Sequence, residues 1–247
     1  MPLREELEAD GNWLFVRRSW LPVLLYPLAV AVLYFYRDST FDLITDPIFS
    51  LICLIVSLSG LMVRALTIGF TPKGTSGRNT KVGQVAETLN QTGMYSIVRH
   101  PLYLGNYLMW LGLFMYSGVW WFVVICSLIY WIYYERIMIA EEEFLRKKYK
   151  ESYENWASKT PAFFPAFSNW KGANLSFSIK NVLKREYNGL FAVAVTFALL
   201  NILAHFFQKS DFYIDFFWQV VFVVCLALFL VLRFLKKRTK YLDVEGR

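Results

Sequence analysis

The chain alternates long apolar runs with short polar breaks. Six runs stand out, at approximately residues 19–36, 47–70, 101–117, 119–137, 187–206 and 214–235. About 20 consecutive apolar residues in a helix cross the ~30 Å hydrocarbon core of a bilayer. The pattern therefore predicts an all-α, polytopic integral membrane protein with one transmembrane helix per run. Only Ser117-Gly118 separates the third run from the fourth, which predicts a tight antiparallel hairpin. No small-residue cleavage site follows the first run, so it reads as a span and not as a removable signal.

The polar segments have distinct characters. Residues 1–18 form a mixed-charge lead ending in Arg17-Arg18. Residues 71–92 form a polar loop whose first part is turn-rich through Pro72, Gly74 and Gly77. Residues 138–158 carry the fourth span out of the membrane as a charged helix. Thr160-Pro161 ends that helix, and Phe163-Phe164-Pro165 returns apolar surface to the bilayer or to a pocket. Residues 175–186 set Leu175, Phe177, Ile179, Val182 and Leu183 against Lys180, Lys184 and Arg185, the pattern of an amphipathic interfacial helix. The chain thus divides into a lead and first span (1–46), a central core (47–167), and an interfacial helix with a last pair of spans (168–247). The longest stretch outside the membrane, about 50 residues, is too short for a doubly wound nucleotide-binding domain. Any cofactor must be held by the helices and their loops.

Composition sharpens this picture. At 56% hydrophobic and 19% aromatic residues, the chain is too apolar for an ordinary soluble domain. The net charge of +7 by itself suggests nucleic acid, but its distribution argues against that partner. With both termini in the cytoplasm, the external loops 37–46 and 207–213 carry only Arg37 and Lys209 of the 26 Lys and Arg. That is the positive-inside asymmetry, reinforced by attraction to anionic lipid headgroups. It fits the inner membrane of a bacterium. Cys53, Cys126 and Cys225 fall in three different spans and read as small packing residues without disulfide or zinc spacing. His100 and His205 are the two histidines, so no histidine-rich metal site is expected. His205 reads as an interfacial packing residue at the outer end of the fifth run.

Two polar clusters carry the candidate chemistry. Residues 93–105 read Gly-Met-Tyr-Ser-Ile-Val-Arg-His-Pro-Leu-Tyr-Leu-Gly, and residues 140–145 read Ala-Glu-Glu-Glu-Phe-Leu. Ionisable groups beside a membrane span are costly to keep without a use. Each cluster alone has a plain structural reading. Pro101 suits the first turn of a helix, and Glu141, Glu142 and Glu143 suit a solvated helix face with pairs such as Glu143–Lys147. Together, Arg99, His100 and the carboxylates make one polar pocket at a bilayer surface.

In combination the motifs resemble the isoprenylcysteine carboxyl methyltransferase and phospholipid methyltransferase superfamily. Gly93, Tyr95, Arg99, His100, Pro101, Tyr103 and Gly105 match its first motif, and Glu141, Glu142 and Leu145 its second, with Tyr153, Pro161 and Pro165 beyond. The likeness covers roughly residues 50–167. It implies an S-adenosylmethionine-dependent methyltransferase whose cofactor pocket is roofed by cytoplasmic helix ends and whose lipid acceptor arrives laterally. It implies Tyr95, His100, Tyr103, Leu104, Gly105, Glu141 and Glu142 as cofactor-pocket residues, and Arg99 and Glu142 as catalytic. Carboxylates can meet the cofactor's ammonium or ribose hydroxyls, and aromatic rings its sulfonium.

Three positions depart from the family pattern. Lys150 stands where it has Gly, Lys159 where it has Arg, and Ile137 where the prenylcysteine branch has Arg, with Arg136 beside it. The last departure points to another acceptor. Arg64 lies inside a span and either snorkels to the headgroups or serves that acceptor. The loop Gly-Thr-Ser-Gly-Arg-Asn-Thr-Lys at 74–81 supplies small residues and cations for an anion. Arg64, Arg78, Asn79 and Arg99 are therefore the candidates for an anionic lipid headgroup, as in bacterial enzymes of this superfamily that methylate a lipid A phosphate. An amine acceptor would need a base, for which Glu142 is the candidate. A lipid-binding protein without chemistry would need neither polar cluster, and a membrane reductase would need further phosphate-binding residues.

Overall fold

The computed structural model describes residues 2–18, 20–72 and 86–246. Among them the regular structure is entirely helical: α1 (Leu3–Arg17), α2 (Leu25–Thr45), α3 (Pro47–Phe70), α4 (Met94–Ile97), α5 (Pro101–Met115), α6 (Trp120–Tyr149), α7 (Glu151–Ala157), α8 (Ile179–Lys209) and α9 (Phe216–Arg238). Short 3-10 turns at Leu21–Leu24 and Phe167–Asn169 complete it. Arg78 and Asn79 lie outside the described residues.

Five helices are long and apolar enough to cross a membrane: the segment Leu21–Thr45, α3, α6, α8 and α9. The sixth expected span becomes α5, whose 15 residues rise only ~22 Å. It still runs the same course as its neighbours. Pro101 at its start lines the polar pocket, and Tyr116 just past its end donates to the Ile44 carbonyl (3.2 Å) at the opposite end of the bundle. The hairpin at Ser117-Gly118 forms as expected, with Gly118 at φ +69° and its N–H on the Met115 carbonyl.

Two expected breaks are absent. The external loop 37–46 is helical up to Thr45. Thr40 and Thr45 return their hydroxyls to carbonyls one turn back, and Ile44 is buried. Asp46 alone separates α2 from α3, accepting the Ile48 N–H (2.8 Å) ahead of Pro47. The amphipathic stretch 175–186 is not a separate helix either. Ser178 caps α8, whose first two turns run without interruption into the span, because no proline intervenes.

Small residues set the tightest contact. A Cβ on Gly60 would lie 2.3 Å from the Gly105 carbonyl oxygen, and one on Gly112 would lie 2.4 Å from the Cys53 carbonyl oxygen. Ser57 crosses the same seam to the Met109 carbonyl (2.8 Å). Packing and interhelical hydrogen bonds drive helix association in lipid, and small residues permit the close approach. At the end away from the pocket, Tyr116, Phe197 and Trp218 stack in an aromatic knot. Beside it Asn201 and His205 both bond Asp215 (2.7 and 3.0 Å), so His205 ties α8 to the start of α9.

Both ends of the described chain pack at the pocket end. Arg4 forks onto Glu143 of α6, while Lys184 of α8 holds Asp243 (2.6 Å) beyond α9. The expected Glu143–Lys147 pair does not form. Glu143 takes Arg4 and Arg146, and Lys147 reaches Glu8 of α1 (2.5 Å), because α1 lies along this face of α6.

Two substitutions test this packing. Gly60→Leu should overpack the α3–α5 seam and lower stability by at least 1–3 kcal/mol, roughly the usual cost of core overpacking. Lys150, at φ +48° and ψ −123°, occupies nearly the conformation of Gly93 (φ +59°, ψ −134°). Lys150→Gly should therefore raise stability by ~1–2 kcal/mol through released strain. Thermal melts in detergent read both, and a neutral Gly60→Leu would refute the seam.

Candidate active site

A recess of about 350 Å³ opens among the pocket-end termini of α3, α5, α6 and α8. Its depth follows from helix lengths. The short α5 begins well below the ends of α3 and α6, so its first residues form a floor and its neighbours form walls.

The Arg99-His100 pair is held by a set of backbone hydrogen bonds. Gly93 takes a positive φ to start α4, and its N–H donates to the Lys171 carbonyl (2.9 Å). Val98 is extended, and then Arg99 and His100 donate their N–H groups to the Pro161 and Ala162 carbonyls (2.9 and 3.2 Å). The Ala166 N–H returns to the Ile97 carbonyl (2.9 Å). The Thr160-Pro161 break thus lets residues after α7 run beside 97–100 like a short strand and fix both side chains. Pro101 then opens α5 at its first turn.

The two motifs meet through these side chains. His100 Nε2 lies 2.9 Å from Glu142 Oε1, and Nδ1 lies 3.6 Å from Glu141 Oε2. The ring stacks on Tyr103 at 5.6 Å. Burial alone would lower the His100 pKa, but the hydrogen bonds and charges of Glu141 and Glu142 outweigh it and push it up to about 8. Arg99 anchors on the Ala157 carbonyl (2.9 Å) and brings Nε within 3.0 Å of the same Glu142 oxygen, a charge contact without hydrogen-bond alignment. Above them the fully buried Tyr153 turns its hydroxyl into the recess toward Glu142, without a well-aligned hydrogen bond among the described residues. Burial first, then the Glu142 charge, raises its pKa, so it stays a neutral donor. Tyr95, Leu145, Tyr153 and Trp156 form the adjoining apolar wall, and Trp156 donates to the Tyr95 carbonyl (3.0 Å).

Arg64 forms the opposite side. Its guanidinium forks onto Glu186 of α8 (2.7 and 2.8 Å) and reaches Asn106 of α5 (2.6 Å). It passes directly over Gly105, where an added Cβ would sit 2.5 Å from Arg64 Cγ. Gly105 therefore admits this bridge and does not line the recess. Leu104 packs beside the cluster of Phe15, Tyr103 and Tyr134. Tyr95, Arg99, His100, Tyr103, Glu141, Glu142 and Arg64 all line the recess. Sequence reasoning missed Glu186, Arg18 and Arg185, which line it too. The signal for Glu186 was a lone acid at the start of an apolar run, at the depth of the lone Arg64. Among the described residues no three His, Cys, Asp or Glu side chains group as a metal site.

The His100 contacts make stability depend on pH. Its folded pKa is raised from the ordinary 6.5 to about 8, so its contribution is complete below pH 6.5 and lost as pH rises through 8. Thermal melts should fall across that window by an amount of order 2 kcal/mol. His100→Gln should flatten the fall. An equal decline in wild type and variant would contradict this origin.

The central stretch of the chain is similar to known proteins. Residues 49–152 match the family described as phospholipid methyltransferase. A cobalt-zinc-cadmium resistance protein of Cupriavidus metallidurans is 34% identical over 36% of this chain and 41% of its own. A nickel-cobalt-cadmium resistance protein of Alcaligenes xylosoxydans xylosoxydans is 33% identical over 35% of this chain and 40% of its own. A protein-S-isoprenylcysteine O-methyltransferase of Schizosaccharomyces pombe is 33% identical over 30% of this chain and 31% of its own. The matches thus span well under two thirds of these curated relatives. No solved structure matches the chain. Residues 49–152, which include both polar motifs, belong to the isoprenylcysteine carboxyl methyltransferase and phospholipid methyltransferase superfamily.

Proposed function

We propose that this protein transfers a methyl group from S-adenosylmethionine to a lipid or lipid-linked acceptor with an anionic headgroup, a phosphate or carboxylate. The carrying observation is the convergence of Arg99, His100, Glu142 and Tyr153 in one recess at the membrane end of the helices. The residues fit the cofactor. The recess volume of about 350 Å³ falls within the range of roughly 300–1,000 Å³ usual for small-molecule sites. Glu141 and Glu142 suit the ammonium or ribose hydroxyls, the Tyr153 hydroxyl suits an acceptor atom, and Tyr95 and Trp156 offer ring faces.

Bound there, the cofactor would supply a methyl group on a sulfonium, ready for a single in-line displacement. The chain's own residues then align and exclude water. His100 and Arg99 hold Glu142 in place, and the strap at 161–166 holds the Arg-His pair from outside. An anionic acceptor is already nucleophilic and loses no proton. Glu142, faced by both His100 and Arg99, is poorly placed to serve as a base for an amine. Ile137 is fully buried on the α1–α6 face, so no guanidinium reaches the recess from there as the prenylcysteine branch requires. The distribution of Lys and Arg supports a bacterial inner membrane with the recess and both chain ends in the cytoplasm.

Three experiments test this reading. Purified protein incubated with methyl-labelled S-adenosylmethionine and total lipid extract should yield a labelled acidic lipid. His100→Ala and Glu142→Gln should each weaken binding of the demethylated cofactor about tenfold or more, since hydrogen bonds to charged groups contribute roughly 1.5–3 kcal/mol. Absence of cofactor binding by folded wild-type protein sinks the methyltransferase reading, and a labelled amine lipid replaces the anionic acceptor with phospholipid N-methylation. For the orientation, single cysteines at 150 and 210 on a cysteine-free background should react with an external reagent in intact cells only at 210. Labelling at 150 alone reverses the assignment.

A further inference from the structure

A second cavity, of about 580 Å³, lies behind the wall of the recess. The two share Trp156, and α7 stands between them. α7 turns Tyr153 to the recess and Ser152 and Asn155 to the second cavity, and Lys159, just past its end, continues that outer face. Thr160, Asn169 and Lys171 supply the other wall. Among the described residues no aliphatic side chain lines this cavity. Lys159, Thr160 and Lys171 lie beyond the stretch 49–152 that matches the family.

The polar groups here are set in place before any ligand arrives. Both lysines stand on backbone that is fixed at its N–H and at its carbonyl. The Lys159 N–H donates to the Trp156 carbonyl (3.1 Å), and its own carbonyl accepts Asn169 Nδ2 (2.7 Å). The Lys171 N–H donates to Ser96 Oγ (2.9 Å), and its carbonyl accepts the Gly93 N–H (2.9 Å). Among the described residues neither ammonium pairs with a carboxylate. Thr160 is only 5% exposed, yet its hydroxyl bonds to no described residue. A buried polar group is costly without a partner. Thr160 lines the cavity, so its partner comes from the cavity's contents.

The lining selects among occupants. Two lysines and one acid, Glu151, leave a net positive charge, which disfavours the cationic cofactor and favours an anion. The lack of aliphatic side chains disfavours a lipid chain. A bare phosphate would be repelled by Glu151 and would leave the amides unused. Hydroxyls on a carbon skeleton answer both, because carboxylates and amide oxygens accept their protons. Lysine binds phosphate as a point charge. The volume also falls in the range of roughly 300–1,000 Å³ usual for small-molecule sites. We propose that this cavity is a second ligand site, for a water-soluble sugar phosphate. Lys159 and Lys171 take the phosphate, while Glu151, Asn155 and Thr160 take sugar hydroxyls. The site is distinct from the methyl-transfer recess and does not depend on what that recess does.

The test is equilibrium dialysis of full-length protein in detergent against radiolabelled glucose 6-phosphate. Wild type should bind the probe saturably, and the demethylated cofactor should not displace it. Lys159→Gln and Lys171→Gln should each weaken binding about fivefold, as expected for charge contacts at an exposed rim. Thr160→Val removes the buried hydroxyl and should weaken binding by a similar factor. Lys180→Gln, exposed at the start of α8, should change nothing. Wild-type affinity in both lysine variants overturns the proposal, as does an equal loss in Lys180→Gln. Displacement by the demethylated cofactor moves the ligand into the recess and also overturns it. Inorganic phosphate binding as tightly as the sugar phosphate replaces the site with a bare anion site, and tighter binding of dihexanoyl phosphatidic acid replaces it with a lipid headgroup site. No saturable binding by folded wild-type protein removes it altogether. Should Thr160→Val fail to fold, the two lysine variants decide, since both side chains are exposed. None of these outcomes bears on methyl transfer, which His100→Ala tests separately.

Discussion

The close approach of α3 and α5 is the constraint on which the rest depends. Gly60, Gly105 and Gly112 let two backbones meet at distances that a side chain would forbid. Lipid offers helices little hydrophobic reason to associate, so such contacts hold a membrane bundle together. The seam also fixes the depth of α5. Because α5 is short and locked low against α3, its first residues lie beneath the ends of its neighbours. The recess exists for that reason, and Arg64 can cross its floor only because Gly105 has no side chain in the way.

A second constraint is electrostatic. The recess gathers arginines, carboxylates and a histidine at the edge of a hydrocarbon medium, where an isolated charge is expensive. Each charge described there has an answer nearby. Arg64 pairs with Glu186, and Arg99 and His100 pair with Glu142. Glu143, the third member of the acidic triplet, turns away to Arg4 and Arg146 and fastens α1 to α6. Three adjacent glutamates therefore have different tasks because helix geometry points them in different directions. Buried pairs add little net stability, but removing one partner leaves an uncompensated charge. The Arg64–Glu186 fork thus acts mainly as a registration device among α3, α5 and α8.

Much of this was legible in the sequence, for identifiable reasons. Apolar runs report membrane helices because their length must match the bilayer, and the run at 47–70 coincides with α3. The Arg-His-Pro and Glu-Glu motifs were legible because ionisable residues beside such runs are rare. Other features were hidden. The helix through 37–45 was obscured by its polar residues, whose hydroxyls are satisfied within the helix itself. The first turns of α8 imitated a separate surface helix because their lysines and arginine project outward. Gly105 read as a cofactor residue from its motif, whereas its role depends on Arg64, 41 positions away, and such a contact leaves no local periodicity. Lys150 stood out as a departure from the family glycine, and its positive φ gives the physical reason a glycine belongs there.

Everything proposed for the recess depends on the cofactor binding there, between the two motifs. Ultraviolet crosslinking of radiolabelled S-adenosylmethionine to the purified protein, followed by peptide mapping, tests it most directly. Label should fall on peptides spanning 94–103 and 141–156 and be competed away by the demethylated product. Label confined to other helices, or label that the product does not displace, would contradict it.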